Sequence, residues 1–266
     1  MKKYLQPFIN TVTLLVTIYV NYLSSTGFFR PETIGDISNQ YPTLITPAGY
    51  AFSIWGFIYL MLFGFVINQW VLAKDDRIKE CDTGPWFAIS NIANATWTYV
   101  WLMEYTGLSV LVMTVLLISL IALTIKLKLE IWDGPLRVIT WVWWPICFYT
   151  GWIVLACVVN VSAFLVKLEW GGFGLSNQVW SVVMLSVAAT VYLFLVLARN
   201  MREAALVGVW GISAIAVKQF DQEPVVAYTA IVISVFLFVV AMVHAYKNRD
   251  TSPITKLIER SAGIKK

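Results

Sequence analysis

Long apolar stretches alternate with short polar ones along most of the chain. A helix needs about 20 residues to cross the apolar part of a bilayer. Eight stretches reach or approach that length, and the seventh is short enough to be a re-entrant segment instead. They lie near residues 8–24, 48–73, 85–103, 107–127, 138–165, 175–198, 204–218 and 224–246. The pattern therefore predicts an all-α fold, a polytopic bundle of transmembrane helices.

The composition supports this prediction. Hydrophobic residues make up 59% of the 266 positions and charged residues 13%, against about half and a quarter in soluble domains. The first stretch follows "MKK" and could be mistaken for a signal peptide. The segment "NYLSSTG" lacks a small-residue cleavage site, so we expect that stretch to be retained. We expect an integral membrane protein, in the inner membrane if the cell is bacterial.

The distribution of basic residues predicts an orientation. With eight crossings, 16 of the 19 Lys and Arg residues fall on the side that holds both termini, and 3 fall on the other. Basic residues are held in the cytoplasm during insertion. Both termini are therefore predicted to be cytoplasmic. The net charge of +4 reflects this topology, and no basic cluster indicates a nucleic-acid site.

Cysteine and histidine are too few and too scattered to predict a metal centre. Cys81, Cys147 and Cys157 lack the spacing of a metal site, and we interpret them as reduced structural residues. His244 is the single histidine, which excludes a bis-histidine haem and a multi-histidine metal site. We expect no metal site and no required cofactor.

Side-chain amides in the interiors of the apolar stretches stop at Asn160, and the interiors of the last three stretches offer only hydroxyls. Without a partner in lipid, such an amide costs several kcal/mol, so each should face another helix or a cavity. We therefore predict that residues 1–166 form a five-helix domain that carries any polar function. Residues 167–246 would be additional transmembrane helices acting as scaffold or interface, and residues 247–266 a basic cytoplasmic tail. The asparagines among these amides are Asn10, Asn21, Asn68, Asn91, Asn94 and Asn160.

Aromatic residues follow one face of three of the stretches, at spacings of three and four residues. On the fifth stretch this face runs from Trp141 through Pro145 to Asn160. Flat apolar walls with a few polar groups are typical of small-molecule sites, although ordinary core packing remains an alternative. Trp143 and Trp144, near the start of that stretch, we interpret as an interfacial belt. The residues on the three faces include Trp55, Tyr59, Asn94, Trp97, Trp101, Tyr149, Trp152, Ala156 and Asn160.

Three of these patterns resemble the signatures of one membrane-protein family. The second stretch has Pro47, then Trp55, then Tyr59; the third has the order Asn94, Trp97, Thr98. The fifth has a Y-x-x-W-x-x-x-A-x-x-x-N pattern from Tyr149 to Asn160. In this order the motifs resemble the TspO/MBR family, also called the tryptophan-rich sensory protein or translocator protein family. The resemblance covers about residues 1–166, which corresponds to that family's five-helix fold.

The resemblance implies a protein that binds a flat apolar ligand, notably a porphyrin or haem, among helices 2, 3 and 5. It would act as a sensor or carrier, with the loop at 25–47 as a lid. The expected partners are a small hydrophobic ligand and the lipid bilayer, without nucleic acid, and a homodimer is left open. The candidate ligand-binding residues are Pro47, Trp55, Tyr59, Asn94, Trp97, Trp101, Tyr149, Trp152, Ala156 and Asn160.

Two other functions remain as alternatives. A secondary transporter of a small hydrophobic solute would be indicated by ionisable residues at mid-membrane or by inverted repeats, and the sequence shows neither. An enzyme would have to use tryptophan-assisted, light-dependent porphyrin breakdown, because one histidine and no paired mid-membrane carboxylates are available. We expect binding rather than catalysis.

Overall fold

The computed structural model describes residues 2–249 and 255–258. These residues contain eight long helices and no strand, which confirms the predicted all-α bundle. The helices are α1 (Lys2–Ser25), α2 (Ile54–Lys74), α3 (Trp86–Leu102), α4 (Thr106–Lys126), α5 (Trp144–Lys167), α6 (Asn177–Arg199), α7 (Arg202–Gln219) and α8 (Pro224–Lys247). The shorter elements are the helix Ile34–Gln40, 3₁₀ turns at Gly49–Ser53, Ile78–Cys81 and Gly172–Gly174, a helical turn at Leu136–Val138 and a π-helical turn at Ile139–Trp143.

Six of the helical stretches are long and apolar enough to cross a membrane by themselves, as expected of an integral membrane protein. They are Lys3–Ser25, Gly49–Lys74, Thr106–Lys126, Leu136–Lys167, Asn177–Arg199 and Pro224–Lys247. The other two long helices, α3 and α7, are largely covered by their neighbours. Their buried faces carry amides such as Asn91 and Asn94, or glycines such as Gly208 and Gly211. α3 is short, with 17 residues, and α7 carries Arg202, Glu203 and Lys218 near its ends.

Most of the intramembrane amides face other helices, as predicted. Asn10 of α1 donates its Nδ2 hydrogen to Oε1 of Gln69 on α2 at 2.9 Å. Asn160 of α5 donates to Oγ of Ser109 on α4 at 2.8 Å. These bonds satisfy groups that lipid cannot satisfy, and they fix how neighbouring helices are rotated.

The last three helices form one group that meets the first five mainly through α5. α7 packs against both α5 and α8, and α6 packs against α7 and α8. Small residues allow this close approach. A Cβ atom on Gly151 would lie 2.5 Å from the backbone oxygen of Ala204 on α7. The hydroxyl of Tyr192 on α6 donates to the Gly151 carbonyl at 2.7 Å.

The connecting segments collect at two ends of the bundle. At the first, which we call the basic end, Lys3 pairs with Asp76 at 2.7 Å and Lys126 with Asp82 at 3.0 Å. At the other, the lid end, Arg30 pairs with Glu104 at 2.8 Å. This grouping is the one that eight crossings predict. Which end faces the cytoplasm stays a prediction.

The structure corrects the interpretation of two tryptophans before α5. Trp143, which we placed in an interfacial belt, is only 2% exposed and packs edge-on against Trp132 at 5.4 Å. Trp141, which we placed on the buried face of this segment, is 43% exposed and lies against Gly64 of α2. The cause is the π-helical turn, which inserts an extra residue and shifts the 3.6-residue periodicity.

Candidate functional site

An aromatic cavity lies between α2, α3 and α5 at the lid end. Its walls are mainly tryptophan rings and aliphatic side chains, and its polar residues are Ser38 and Asn160. Every residue that lines it falls between Ile34 and Asn160, within the first five helices. The lining residues are Ile34, Ser38, Pro47, Phe52, Trp55, Trp97, Trp101, Trp152, Leu155, Ala156, Val159 and Asn160.

The aromatic rings form two walls. Trp97 and Trp101 of α3 stack with ring centres 5.8 Å apart and planes 15° from parallel. Trp152 of α5 meets Trp55 edge-on at 6.4 Å and Phe52 edge-on at 5.9 Å. These spacings lie in the range at which aromatic pairs attract each other. The walls are therefore held in place by ring contacts as well as by the helices that carry them.

Asn160 fixes part of the α3 wall. Its Oδ1 accepts a hydrogen bond from the indole Nε1 of Trp97 at 3.3 Å, and its Nδ2 donates to Ser109 on α4 at 2.8 Å. The side chain is 2% exposed. Asn160 thus both lines the cavity and holds Trp97 in position.

Seven of the ten residues predicted from the sequence line this cavity. The other three, Tyr59, Asn94 and Tyr149, are outside its lining. Asn94 donates to the Tyr149 hydroxyl at 2.8 Å and accepts from Asn21 of α1 at 3.4 Å, so it braces three helices. The Tyr59 ring stacks on Trp55 at 5.3 Å. The seven lining residues are Pro47, Trp55, Trp97, Trp101, Trp152, Ala156 and Asn160.

Five lining residues were missing from the predicted set. Leu155 and Val159 lie three and seven positions after Trp152 on α5, so the helical periodicity could have found them. Phe52 lies one turn before Trp55, in a 3₁₀ turn. Ile34 and Ser38 belong to the short helix Ile34–Gln40, and a pattern built on membrane-spanning stretches gives no signal for them.

A lid loop, residues 26–53, covers the cavity and is attached to α3. Arg30 donates from Nη1 to Oε1 of Glu104 at 2.8 Å and to the Leu102 carbonyl at 2.6 Å. The Tyr41 hydroxyl donates to Oε2 of Glu104 at 3.1 Å. The indole of Trp101 donates to the Ile34 carbonyl at 3.2 Å, so one cavity wall is itself bonded to the lid.

The same lid loop is attached to α7 on its other side. Lys218 donates from Nζ to Oδ1 of Asn39 at 2.6 Å. The Ala48 amide donates to the Ala214 carbonyl at 3.1 Å, and the indole of Trp210 donates to the Ala51 carbonyl at 3.1 Å. Although α7 lines none of the cavity, it holds both the lid and the segment that leads into α2.

The attachment to α3 is electrostatic. The hydrogen bond from Arg30, followed by that from Tyr41, lowers the pKa of Glu104 below its ordinary value, although burial opposes the shift. Burial, and then the bond to Glu104, raise the pKa of Tyr41 to about 12. At neutral pH the lid is therefore held by an ionised carboxylate and a protonated phenol.

The cavity is small as it stands. Its volume is about 40 Å³, which is room for about three water molecules. Sites for drug-sized ligands have volumes of about 300–1,000 Å³. A larger cavity of about 220 Å³ lies beside the lid loop, between Pro42–Ile45, the end of α5 and the start of α6. For a flat macrocycle to enter between the tryptophan walls, the walls and the lid must move apart.

The comparisons with known proteins agree with the architecture. A family model described as TSPO-like protein matches residues 7–243. This range runs from α1 almost to the end of α8, so it includes the three helices beyond the motifs found in the sequence. No curated protein and no solved structure matches the chain.

Proposed function

The chain belongs to the TSPO-like protein family, and we propose that it binds a planar apolar ligand of the porphyrin or haem type among α2, α3 and α5, as a sensor or carrier. The observation that supports this proposal is the cavity with Trp55 and Trp152 on one side and stacked Trp97 and Trp101 on the other. Flat rings offer large contact areas to a flat ligand. Asn160 and Ser38 supply the few polar groups that orient such a ligand.

The proposal requires the site to open. The volume of about 40 Å³ is far below that of a macrocycle, so binding must be coupled to displacement of the lid loop. The contacts to break include hydrogen bonds to α3, such as the Arg30–Glu104 pair, and to α7, such as the Lys218–Asn39 bond. They also include the packing of buried lid side chains such as Ile37 and Ile45. The partly exposed polar bonds contribute little stability each, so most of the cost of opening is the exposure of the buried apolar side chains.

The test is a titration of the purified full chain in detergent with protoporphyrin and with haem, followed by tryptophan fluorescence and the Soret band. Trp152→Leu removes ring contacts that contribute about 0.5–1.5 kcal/mol to binding, in addition to the contribution of the buried surface area. We expect it to weaken binding about tenfold, since 1.4 kcal/mol is one decade. The matched control is Trp141→Leu, because Trp141 is exposed and outside the cavity.

The control should leave affinity nearly unchanged at an equal folded fraction, judged by circular dichroism and gel filtration. Equal effects of the two substitutions would mean that Trp152 serves ordinary core packing and does not contact the ligand. Absence of quenching with both ligands would reject a tetrapyrrole site altogether.

Two further measurements separate binding from the alternatives. A Soret shift without a chemical product under illumination supports binding, whereas loss of the Soret band only in the light supports porphyrin breakdown. Ligand flux into liposomes that contain the protein supports a carrier. The same Trp152→Leu and Trp141→Leu pair applies to each assay, because all three functions use the same cavity.

A further inference from the structure

A second group of chemically active side chains lies at the basic end, outside the aromatic cavity described above. Glu130 belongs to the loop after α4, Cys147 to the first turn of α5, and Glu203 to the first turn of α7. One ligand atom from each side chain, two carboxylate oxygens and a sulfur, lie within 4.8 Å of one another. Three separate elements therefore bring metal-binding atoms to one point.

The carboxylates of this cluster are buried with incomplete bonding. Glu130 is 7% exposed, and its Oε1 has no hydrogen-bond partner among the described residues. Oε2 of Glu203 is likewise buried without a partner in the described part of the chain. A carboxylate removed from water without a partner is expensive. The cluster therefore has acceptor atoms that the described protein groups leave unused.

The nearby cation compensates only part of the negative charge. Arg202 approaches Glu130 at 3.9 Å, between Nη2 and Oε2. The guanidinium of Arg199 is directed at the Thr124 and Leu129 carbonyls instead. Two carboxylates facing one guanidinium must be neutralised further, by a proton or by another cation.

The backbone holds Glu130 inward at a conformational cost. Its φ of 57° is in the left-handed region, which side chains other than glycine rarely adopt. The Glu130 carbonyl accepts a hydrogen bond from Nδ2 of Asn200 at 2.6 Å, which ties the loop to the junction of α6 and α7. Strain that the surrounding structure maintains is more frequent at functional positions than elsewhere.

A small cavity beside the cluster provides space for access. It lies against Glu130 and Arg202, and it is also lined by loop residues of the basic end such as Asp133 and Gly134, by Asn200 and by Asn248. Its volume is about 40 Å³, enough for an ion with a bound water. An ion could therefore approach from the basic end without passing through the bundle.

We propose that Glu130, Cys147 and Glu203 bind a divalent cation of the zinc type. Zinc accepts both thiolate sulfur and carboxylate oxygen, whereas magnesium and calcium prefer sites made of oxygen atoms. Three protein ligands leave a fourth position, which a water from the adjacent cavity would fill. On binding, the Cys147 thiol loses its proton to solvent and its sulfur forms the bond to the metal. The ligand atoms need to approach one another by about 1 Å to reach ordinary zinc distances.

Cobalt(II) is the probe for this proposal, because a thiolate ligand gives it a charge-transfer absorption in the near ultraviolet. We expect that band when the full chain in detergent is titrated with cobalt, and we expect zinc to displace it. Cys147→Ser should abolish the band. The matched controls Cys81→Ser and Cys157→Ser should retain it, since both of those sulfurs are outside the cluster.

Carboxylate variants test the other ligands. Glu130→Gln and Glu203→Gln should each weaken cobalt binding at least tenfold. Loss of a residue that only supports a metal ligand costs about 10–100-fold in affinity, and loss of a ligand itself should cost no less. Both variants remain informative if Cys147→Ser fails to fold. A folded wild-type chain that shows no cobalt band overturns the proposal. In that case a proton shared between Glu130 and Glu203 would neutralise the two carboxylates. A band that survives in folded Cys147→Ser also overturns it, because the metal would then be bound elsewhere.

Discussion

At the residue scale, Glu104 serves two purposes at the end of α3. Its φ of 58° ends the helix, with the Glu104 amide bonded to the Trp101 carbonyl at 2.9 Å and the Tyr105 amide to the Val100 carbonyl at 3.1 Å. This is the pattern of a Schellman motif. Its carboxylate meanwhile accepts hydrogen bonds from Arg30 and Tyr41 of the lid. One residue thus ends a cavity-wall helix and fastens the cover.

We predict that acid loosens the lid through Glu104. Because the folded pKa of Glu104 is below its ordinary value, its contribution to lid attachment is fully present above the ordinary glutamate range, about 4.3. It is lost as the pH falls through the lowered value. Hydrogen exchange of residues 26–53 should therefore be faster in Glu104→Gln than in the wild type at pH 7, and this difference should vanish in strong acid.

Glu169→Gln is the matched control for this experiment. Glu169 ends α5 with a similar left-handed φ of 51° and makes no contact with the lid among the interactions described. It should exchange like the wild type at both pH values. Equal protection in wild type and Glu104→Gln at pH 7 would show that the carboxylate does not hold the lid.

A second residue-scale prediction concerns strain. Glu169 is exposed, and its left-handed backbone suits glycine better than a residue with a Cβ atom. The strain is about 1–2 kcal/mol, and part of the gain is offset by the freedom that glycine adds to the unfolded chain. Glu169→Gly should raise the thermal unfolding midpoint, whereas Glu104→Gly, which also loses the Arg30 pair, should not. A lower midpoint for Glu169→Gly would refute the argument.

At the element scale, the contact between α5 and α7 supports the back of the aromatic cavity. Gly211 of α7 lies directly against the Leu155 side chain, and a Cβ there would also be 3.4 Å from the Trp152 ring. Both of these side chains line the cavity. The shape of the α5 wall thus depends on a glycine in a helix that contributes no lining residue.

We predict that Gly211→Ala weakens porphyrin binding while leaving the fold intact. The added methyl group must displace the flexible end of Leu155 towards the cavity. Overpacking of this kind costs about 1–3 kcal/mol where the displaced side chain has no free space. The empty cavity offers Leu155 that space and an occupied one does not, so the cost falls on binding and affinity should drop about tenfold. Gly56→Ala is the matched control, since nothing lies within 4 Å of a Cβ at that helical position. Unchanged affinity in Gly211→Ala would mean that this wall does not touch the ligand.

The sequence predicted those helices whose existence follows from a single physical rule. Apolar length predicted the eight long helices, because a membrane span is a simple requirement. The π-helical turn at Ile139–Trp143, which brings Trp143 against Gly134 and Trp132, was not predicted, since a 3.6-residue periodicity carries no signal for an inserted residue. The helix Ile34–Gln40 was also missed. It carries a capping box between Thr33 and Asp36, a local signal that a search for long apolar stretches overlooks.

At the scale of the whole molecule, the division into a functional part at 1–166 and added helices at 167–246 stays a prediction. The cavity lining falls entirely before residue 167. However, α7 bonds to the lid through Lys218 and Ala214, and the family match continues to residue 243. The distribution of side-chain amides along the sequence predicted the polar contacts among the first five helices. It missed α7 because that helix holds the lid through Lys218, the indole of Trp210 and the Ala214 carbonyl, none of which is a side-chain amide.

The orientation of the bundle is the prediction that belongs to this scale. The 16-to-3 division of basic residues predicts that the basic end faces the cytoplasm and the lid end does not. Reporter fusions at residues 80 and 133 should score as cytoplasmic, and one at residue 36 should not. If the fusion at 36 gave the same signal as that at 80, the predicted topology would be wrong.

The two-sided attachment of the lid has a kinetic consequence. If the anchors on α3 and α7 open independently, the cavity is uncovered only when both are open, with a probability equal to the product of two small fractions. While one anchor holds, the freed side stays close to its partner at a high effective concentration and recloses quickly. A trapped molecule would then have a long residence time even if its equilibrium affinity were modest, and the exchange rate would respond to loss of either anchor alone.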